Sequence, residues 1–471
     1  MRLIYIFIFT LFFTLEAFGE GNIPYELKTK LQSIPLKQNS YSILIQEVGS
    51  DTPIASLNAH KKRAPASVIK LLTIYSGLLE LGYDYRWETK FYHTGFIRDG
   101  ILKGDLYVKA SGDPTLKTAD IDPIVSQIQE AGIQKILGNI IIDRSLFDVP
   151  NRNNSGFDRN KYSPYNAMPD ALMFNKRKST ICVTTRGRKV RINKDIPDQS
   201  YRVVNKLKIV NGSCRRGRSW PRVGIKTDNS GRSTITLSGK LSRKCGKRTI
   251  CKVVGRPYRA FYYALKNKLN SRGINFKGAL KLKKVPKKAT YIFSHKSDRL
   301  EDVISTIAKK SDNLMARQLM LTLGATQYSA PSTPYKSRKA IERILNQYNI
   351  LESGTTYVAN GSGLSREAQL TAQSLTNLLE HGAIHYGQRW METLSIAGED
   401  GTIRRRFKYS PVHGRAWMKT GTIRGVANIA GYVEGYSGRR YVVVVLVNDR
   451  RSSQYGRRLA NKVITWVVEA L

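Results

Sequence analysis

The chain has 471 residues, with 78 Lys and Arg against 35 Asp and Glu, so its formal net charge is +43. Hydrophobic residues make up 41% of it and aromatic residues 9%, which is enough for packed cores and excludes a mainly disordered chain. The length predicts two or three domains. So high a charge implies an anionic partner, and by itself it would suggest nucleic acid.

The N-terminus has the pattern of a secretory signal peptide, which argues against nucleic acid. Arg2 precedes an apolar run from Leu3 to Leu15, and Ala17-Phe18-Gly19 offers small residues for cleavage before Glu20. The run is shorter than the ~20 apolar residues of a membrane-spanning helix. It also lacks the polar face of a helix that packs with one side against a protein core. We therefore predict a signal peptide at 1–19, a periplasmic or cell-envelope location, and an anionic partner found there.

The periodicity of apolar residues predicts strands and helices along the rest of the chain. A helix begins beside Pro65 and Ser67 and ends at Gly82, and it should be buried because it is apolar nearly all round. Helical texture returns from Asp298 to Gly324. The other predicted elements are strands at 41–48, 101–108, 138–143 and 441–447 and a closing helix at 455–471.

Residues 171–290 differ in composition from the rest and carry most of the excess charge, with Lys and Arg far outnumbering three acidic residues. Short β-type runs between turns predict a small, mostly β module. All four cysteines lie in this segment: Cys182, Cys214, Cys245 and Cys251. In an exported chain they allow two disulfides in three connectivities, with free thiols or a zinc site as alternatives. The segment could anchor the protein to anionic envelope polymer or a membrane surface, or be a solvated basic face without a partner.

Three short motifs carry candidate chemistry. Ser67-Val68-Ile69-Lys70 is the one S-x-x-K in the chain, and on a helix its lysine can reach the serine and act as base once burial lowers the lysine pKa. Ser311-Asp312-Asn313 opens a helix, where a simple N-cap would also explain the residue types. Lys419-Thr420-Gly421-Thr422 lies on a strand, where glycine permits close approach of a ligand and lysine can hold a carboxylate. An ordinary edge strand protected by a lysine is the alternative for the third motif.

The ordered set of S-x-x-K, S-D-N and K-T-G is the signature of serine enzymes acylated by penicillin or by D-alanyl peptides. Together with further segments, these motifs resemble the D-alanyl-D-alanine carboxypeptidase/endopeptidase family, the low-molecular-mass class C penicillin-binding proteins of peptidase family S13. The long separation of Ser67 from Ser311 is similar to that of this family, which carries extra domains between these motifs. The further segments are 111–116, 360–366, 397–402 and 425–432.

The resemblance implies a fold class and a domain organisation. The implied fold is α+β, an α/β/α serine acyltransferase of the penicillin-binding protein and β-lactamase type, with inserted mostly-β domains. The catalytic domain would be discontinuous, at 20–95 and 290–471. The inserted region at 96–289 would comprise two subdomains, 96–170 and the basic, cysteine-containing 171–289.

The resemblance also implies roles for the motif residues. Ser67 would attack the carbonyl of the penultimate D-alanine, Lys70 would be its general base, and Ser311 would pass the proton to the leaving amine. The implied ligands are peptidoglycan peptides and β-lactam antibiotics, with no metal or organic cofactor and no nucleic acid. The implied substrate-binding residues are Asn313 for the amide, Lys419, Thr420 and Gly421 for the carboxylate strand, Thr422 for the oxyanion hole with the Ser67 N–H, and Arg366.

Two positions depart from the pattern of the family. Ala167 stands where relatives that bind a diaminopimelate side chain carry an acidic residue, and Arg424 stands where they tend to have an uncharged one. Arg366 matches. The pocket for the cross-link side chain is therefore less well defined by the sequence than the acyl-transfer site.

Other functions compete with this interpretation. A serine β-lactamase shares the three motifs, and Glu342 and Asn346 fit the E-x-x-L-N pattern of its deacylating glutamate, although the apolar spacing around them favours an ordinary helix face. A non-catalytic binder of envelope polymer would explain the charge but not the motifs. His381 and His385 lack the glutamate of an H-E-x-x-H site, so a partly exposed helix face is predicted there.

Overall fold

A computed structural model describes residues 22–187, 189–215, 219–229 and 232–471, so the predicted signal peptide at 1–19 lies outside the described residues. The α-helices are α1 (Tyr25–Gln32), α2 (Lys70–Leu81), α3 (Ile121–Glu130), α4 (Pro257–Ser271), α5 (Leu300–Lys310), α6 (Asn313–Tyr328), α7 (Pro334–Asn346), α8 (Ala372–Met391) and α9 (Arg457–Ala470). The strands are β1 (Tyr41–Glu47), β2 (Pro53–Leu57), β3 (Glu88–His93), β4 (Phe96–Arg98), β5 (Ile101–Lys103), β6 (Leu106–Lys109), β7 (Lys135–Ile136), β8 (Ile140–Asp143), β9 (Ser179–Arg186), β10 (Lys189–Lys194), β11 (Tyr201–Val210), β12 (Arg222–Thr227), β13 (Ser233–Ser242), β14 (Arg248–Lys252), β15 (Asn275–Phe276), β16 (Leu280–Leu282), β17 (Thr290–Lys296), β18 (Ser395–Ile396), β19 (Ala416–Ile423), β20 (Val426–Glu434) and β21 (Arg440–Val447).

A six-stranded antiparallel sheet in the order β18-β19-β20-β21-β1-β2 holds the K-T-G motif. One face packs against α1 and α9, and the other packs against α2 and the helices α5 to α8. Strand β21 is buried from Tyr441 to Val447, as expected for a valine-rich strand covered on both faces. Strands β1 and β21 pair along their whole length, so the two ends of the chain meet in one sheet.

The helix predicted to begin near Pro65 is confirmed. A 3₁₀ turn at Ala66–Ile69 leads into α2, whose first nine residues, Lys70 to Leu78, are all buried. Gly82 ends the helix with φ of 74°, a left-handed conformation that glycine adopts without steric cost. The S-x-x-K motif therefore spans the start of a helix that lies inside the molecule.

The helical stretch predicted from Asp298 to Gly324 is divided in two by the S-D-N motif. Ser311 adopts φ of 53° and ψ of 40°, which ends α5. The Asp312 carboxylate then accepts hydrogen bonds from the amides of Leu314 (3.0 Å) and Met315 (3.1 Å) and caps α6. Ser311 therefore lies between the two helices and belongs to neither.

The middle of the chain forms sheets of its own. One has five strands in the order β16-β8-β6-β3-β17 and another has four in the order β15-β7-β5-β4. The stretch 101–108, predicted as one strand, is two strands, because the chain crosses between the sheets at Gly104. A Cβ at Gly104 would lie 1.8 Å from the Thr94 carbonyl oxygen, so this crossing requires glycine.

The basic segment contains two three-stranded sheets, β10-β9-β14 and β11-β13-β12, around a small apolar core that includes Ile235 and Leu237. Cys214 and Cys245 form a disulfide, and Cys182 and Cys251 are free thiols on neighbouring strands. Helix α4, which follows these sheets, was missed by the sequence analysis. Its signal was present, since Phe261, Leu265 and Leu269 recur at every fourth position and are fully buried.

Candidate active site

The S-x-x-K residues face each other at the start of α2. The Lys70 ammonium lies 2.9 Å from the Ser67 hydroxyl and 2.7 Å from Asn313 Oδ1, and it also donates to the Ser362 carbonyl. Lys70 is completely buried, whereas Ser67 is only partly buried. A serine that can be reached from solvent is thus paired with a base that cannot.

The backbone around Ser67 is compressed between two glycines. A Cβ at Gly363 would lie 1.9 Å from the Ala66 carbonyl oxygen, and one at Gly421 would lie 2.9 Å from the Ser67 nitrogen. Ala66 itself has φ of 47°, an unfavourable conformation for a residue with a Cβ. Strand β19 can therefore run directly against the Ser67 amide only because Gly421 has no side chain.

The electrostatic surroundings of Lys70 favour its neutral form. Burial lowers the pKa of Lys70 well below its usual value of 10.5, and the charges of Lys419 and Arg317 lower it further, against an opposing contribution from Asp312. A neutral amine at 2.9 Å from a hydroxyl can accept its proton.

The second and third motifs form a matching serine–lysine pair. The Lys419 ammonium lies 3.1 Å from the Ser311 hydroxyl and 2.8 Å from the Thr420 carbonyl oxygen. Lys419 is fully buried, and burial lowers its pKa to about 7. A lysine this buried is not the solvent-exposed protector of an edge strand.

Asn313 connects the first two motifs. Its Oδ1 accepts from Lys70, and its Nδ2 donates to the Tyr165 carbonyl oxygen at 3.1 Å. Its neighbour Asp312 receives a hydrogen bond from Lys176 at 2.8 Å. Both of these contacts bring residues from the middle of the chain to the S-D-N motif.

The K-T-G strand is supported from both sides. The Thr420 hydroxyl donates to Thr402 at 2.9 Å, while Thr422 is exposed. Asn428, opposite Gly421 in the sheet, donates from Nδ2 to the carbonyls of Ala64 and Pro65, each at 2.9 Å. These bonds tie β20 to the segment that carries Ser67.

Two cavities adjoin these residues. The first, which we call the arginine cavity, has a volume of about 680 Å³ and is lined by Ser67, Ser311 and Thr420 together with Arg405 and Arg457. The second, the Phe157 cavity, has a volume of about 490 Å³. Its lining includes Phe157, Arg317, Asn360 and Arg366.

Arg366 lies at the rim of the Phe157 cavity and not beside Ser67. It is exposed, its guanidinium is 5.5 Å from the Phe157 ring centroid, and it donates to the Arg424 carbonyl oxygen at 3.3 Å. Asp158, next to Phe157, accepts a 2.5 Å hydrogen bond from the Tyr165 hydroxyl. Ala167 is fully buried. The acidic side chain that lines the Phe157 cavity is Glu367, which the sequence analysis missed.

Arg317 is a second residue that the sequence analysis missed. It lies one helical turn after Asn313 on α6, is buried, and donates to the Ser362 hydroxyl (3.3 Å) and the Ala167 carbonyl oxygen (2.8 Å). Burial lowers the pKa of Arg317 to about 10, and no carboxylate pairs with it among the described residues. The spacing from Asn313 was the available signal, because positions four apart share a helix face.

Neither alternative catalytic group lies at this site. Glu342 is held on α7 by Lys339 at 3.0 Å and Arg338 at 3.7 Å, and Ile341, Ile344 and Leu345 are buried in the core, as their spacing predicted. His381 is partly buried and His385 is exposed on α8. Within the described ranges, no three His, Cys, Asp or Glu side chains gather as a metal-binding group.

The sequence of this chain is similar, over nearly its whole length, to a known family and to its members. Residues 25–469 match the model of the D-Ala-D-Ala carboxypeptidase 3 (S13) family. D-alanyl-D-alanine carboxypeptidase DacB of Haemophilus influenzae is 25% identical over 449 residues, covering 94% of this chain and 91% of the relative. D-alanyl-D-alanine carboxypeptidase of Actinomadura sp. (strain R39) is 25% identical over 427 residues, covering 87% and 78% of the two chains.

Solved structures give the same fold. Penicillin binding protein 4 from Haemophilus influenzae superimposes with a TM-score of 0.77 at 24% identity, over 93% of this chain and 99% of that one. Bd3459, a predatory peptidoglycan endopeptidase from Bdellovibrio bacteriovorus, gives 0.51 at 15% identity, over 90% and 92%. The expected α+β fold class is confirmed, as is the resemblance on which it rested. The chain therefore belongs to the D-Ala-D-Ala carboxypeptidase 3 (S13) family of serine peptidases.

Proposed function

We propose that this protein hydrolyses D-Ala-D-Ala peptide bonds of peptidoglycan stem peptides, by carboxypeptidase or endopeptidase action, through an acyl-enzyme on Ser67. The observation that carries the proposal is the convergence of two lysine–serine pairs, Lys70 with Ser67 and Lys419 with Ser311, at one opening. Membership of the S13 family supports it further.

In the proposed reaction Lys70, uncharged, takes the Ser67 proton as the hydroxyl oxygen attacks the scissile carbonyl carbon. Ser311 relays that proton to the departing amine. The ester is then hydrolysed by water. The buried position of Lys70 supports this order, because a protonated lysine there could not accept a proton.

The negative charges of the substrate would be held by β19. We propose that Lys419 and the hydroxyl of Thr420 bind the terminal carboxylate, and that the N–H groups of Ser67 and Thr422 stabilise the oxyanion. The close approach of β19 to Ser67 at Gly421 supports this geometry. An oxyanion donor of this kind contributes on the order of 10²–10³ in rate. The Asn313 amide already bonds to Lys70 and Tyr165, so binding a substrate amide would compete with Tyr165.

Mass spectrometry after penicillin treatment tests the nucleophile. We expect one stable penicilloyl adduct on the peptide containing Ser67, no adduct on the Ser67→Ala variant, and a normal adduct on Ser437→Ala, which alters an exposed serine. D-alanine release from a pentapeptide should follow the same pattern. An adduct elsewhere, or D-alanine release by Ser67→Ala, would refute the assignment.

A serine β-lactamase is the second candidate, because it shares the three motifs. The ion pairs that hold Glu342 on α7 disfavour it, since that glutamate was the proposed deacylating base. Rapid turnover of nitrocefin, in place of a stable adduct, would favour the β-lactamase.

We propose that the signal peptide at 1–19 directs export of the protein to the cell envelope and is removed before Glu20. No described helix is long and apolar enough to cross a bilayer. The intact mass from the penicillin experiment reads the mature N-terminus, so retention of residues 1–19 would contradict this proposal.

We propose that the region inserted into the catalytic domain is bounded by β3 and β17. Strand β3 pairs with β6 and β17 pairs with β3, so Glu88–His93 and Thr290–Lys296 belong to the five-stranded sheet of the insert. The predicted boundaries at 95 and 290 would then move outward to these strands.

We also propose that the basic segment binds an extended anionic polymer of the envelope along the outer face of sheet β11-β13-β12, here called the cationic face. In register, Arg202, Thr234 and Lys226 form one row across the sheet, and Lys206, Ser238 and Arg222 form another. The cations are exposed, and the three strands contain no acidic residue. The cations of β11 and those of β12 therefore lie about 10 Å apart, on either side of the hydroxyls of β13, and this arrangement suits one polymer chain lying along β13.

A further inference from the structure

The arginine cavity is larger and more basic than release of a single D-alanine requires. It continues from Ser67 and Thr420 along the sheet to α9, with a volume of about 680 Å³. Three arginines line it, Arg405, Arg406 and Arg457, and among the described residues no acidic side chain does. One alanine would fill only a small part of such a space.

The arginines of this cavity are held by neutral groups. Arg406 donates to Asn461 Oδ1 at 2.5 Å and to the Arg457 carbonyl oxygen at 3.4 Å. Burial, with a contribution from Arg457, lowers the pKa of Arg406 to about 9. In the described part of the chain no carboxylate forms a salt bridge with Arg405, Arg406 or Arg457. Unpaired cations that share a cavity with a nucleophile favour an anionic ligand.

The position of the cavity indicates which part of the substrate reaches it. If the carboxylate beside the scissile bond binds Lys419 and Thr420, a side chain on the carbon that bears this carboxylate can extend into the arginine cavity. A terminal D-alanine has only a methyl group at that carbon. In a peptide cross-link the leaving amine belongs to a second stem peptide, which continues from that point and carries further carboxylates.

We infer that the arginine cavity is the subsite for the leaving stem peptide of a cross-link and binds that peptide through its carboxylates. The inference rests on the proposed acyl transfer at Ser67. In that step the Ser67 oxygen forms an ester with the carbonyl carbon, the C–N bond of the cross-link breaks, and the serine proton leaves on the amine of the second stem. Water then cleaves the ester.

Substitution of the two exposed arginines tests the inference. The Arg405→Gln, Arg457→Gln double variant should cleave a purified cross-linked muropeptide dimer with kcat/KM lowered about 10-fold, the effect of losing a hydrogen bond between charged groups. Penicillin acylation and D-alanine release from a monomeric pentapeptide should stay within about 2-fold, because neither ligand extends from Ser67 and Thr420 as far as the arginines.

The chain supplies a matched control. Arg404 and Arg458 are the exposed neighbours of Arg405 and Arg457 and do not line the cavity. The Arg404→Gln, Arg458→Gln double variant removes the same charge and should cleave the dimer normally. A dimer whose leaving stem has amidated carboxylates should be cleaved equally by wild type and by the cavity variant.

The inference would be overturned if the cavity variant cleaved the dimer normally, or if the control variant lost as much dimer cleavage as the cavity variant. It would also be overturned if the cavity variant lost D-alanine release from the pentapeptide to the same extent, since that would place the carboxylate of D-alanine itself at the arginines. A wild-type protein that forms the penicilloyl adduct and releases D-alanine but cleaves no dimer would also overturn it. Absence of both adduct and D-alanine release would instead refute the proposed function.

Discussion

Two buried lysines, Lys70 and Lys419, lie at the same site, and the proposed reaction requires one to be neutral and the other to be charged. In the proposed reaction, Lys70 must be neutral to accept the Ser67 proton, whereas Lys419 must be charged to hold a carboxylate. Burial lowers the pKa of both, and that of Lys419 falls to about 7. Such a site is active only at pH values between the pKa of Lys70 and the pKa of Lys419.

We therefore expect a bell-shaped pH profile of kcat/KM for D-alanine release, with its acid limb set by Lys70 and its alkaline limb by Lys419. Arg317→Met removes a positive charge that lowers the Lys70 pKa. The Lys70 pKa should rise, and the acid limb should move to higher pH by on the order of one unit, while the alkaline limb stays in place.

Arg317→Lys is the control for this measurement, because it keeps the charge and should leave the acid limb where it is. Movement of both limbs together, or no movement in Arg317→Met, would contradict the assignment of Lys70 to the acid limb. Urea unfolding of both variants separates this effect from a loss of folded protein.

The motif residues were predicted from the sequence, and Arg317 could have been predicted from its spacing to Asn313. S-x-x-K, S-D-N and K-T-G named the side chains that meet, because their chemistry requires those residue types. Their partners are a different matter. Lys70 donates to the backbone carbonyl of Ser362, and Asn313 donates to the backbone carbonyl of Tyr165. Every residue type has a backbone carbonyl, so the sequence does not identify these partners.

At the scale of elements, the contact between Lys176 and Asp312 joins the inserted region to the S-D-N motif. Burial alone would raise the pKa of Asp312, but the Lys176 ammonium and the amides of Met315 and Leu314 outweigh it and lower that pKa below its usual value. Asp312 therefore caps α6 as a carboxylate, and Lys176 helps to keep it ionised.

We expect Lys176→Met to slow acylation by penicillin several-fold and to lower the free energy of unfolding by about 1 kcal/mol, as for a half-buried ion pair. Lys176→Arg should restore both. Lys178→Met alters an exposed lysine close by and should change neither. Equal effects of Lys176→Met and Lys178→Met would show that the ion pair has no part in positioning Asp312.

The sequence could not have indicated this contact. Asn175, Lys176 and Arg177 are three successive residues with positive φ, at 47°, 50° and 56°. Such a conformation is imposed by its tertiary surroundings and has no glycine to mark it. Elements with strong local patterns, such as α2 and β21, were predicted, whereas short strands at the crossings between sheets were not.

At the scale of the whole molecule, most of the excess positive charge lies in the basic segment at 171–290. The cationic face leads to a prediction about polymer binding that does not depend on the active site. Changing Arg202, Lys206, Arg222 and Lys226 to Gln should weaken co-sedimentation with purified sacculi and flatten its salt dependence, because fewer counterions are released on binding.

The matched control changes Lys281, Lys283, Lys284 and Lys287 to Gln, removing four exposed charges elsewhere in the inserted region. It should bind sacculi nearly as well as wild type, and both variants should release D-alanine from a soluble pentapeptide at the wild-type rate. Equal losses of binding in the two sets would mean that total charge, and not the cationic face, holds the polymer.

The pairing of β1 with β21 also sets the order in which the molecule can fold. Tyr41 lies opposite Val447, so the sheet that supports Lys419 closes only after nearly the whole chain is available. Contacts between such distant residues form late, because a long loop must first be closed. Ser67 is synthesised early but meets Lys419 and Ser311 last. If the protein is exported as proposed above and crosses the membrane unfolded, its active site forms only after the crossing, on the side of the membrane where the wall lies.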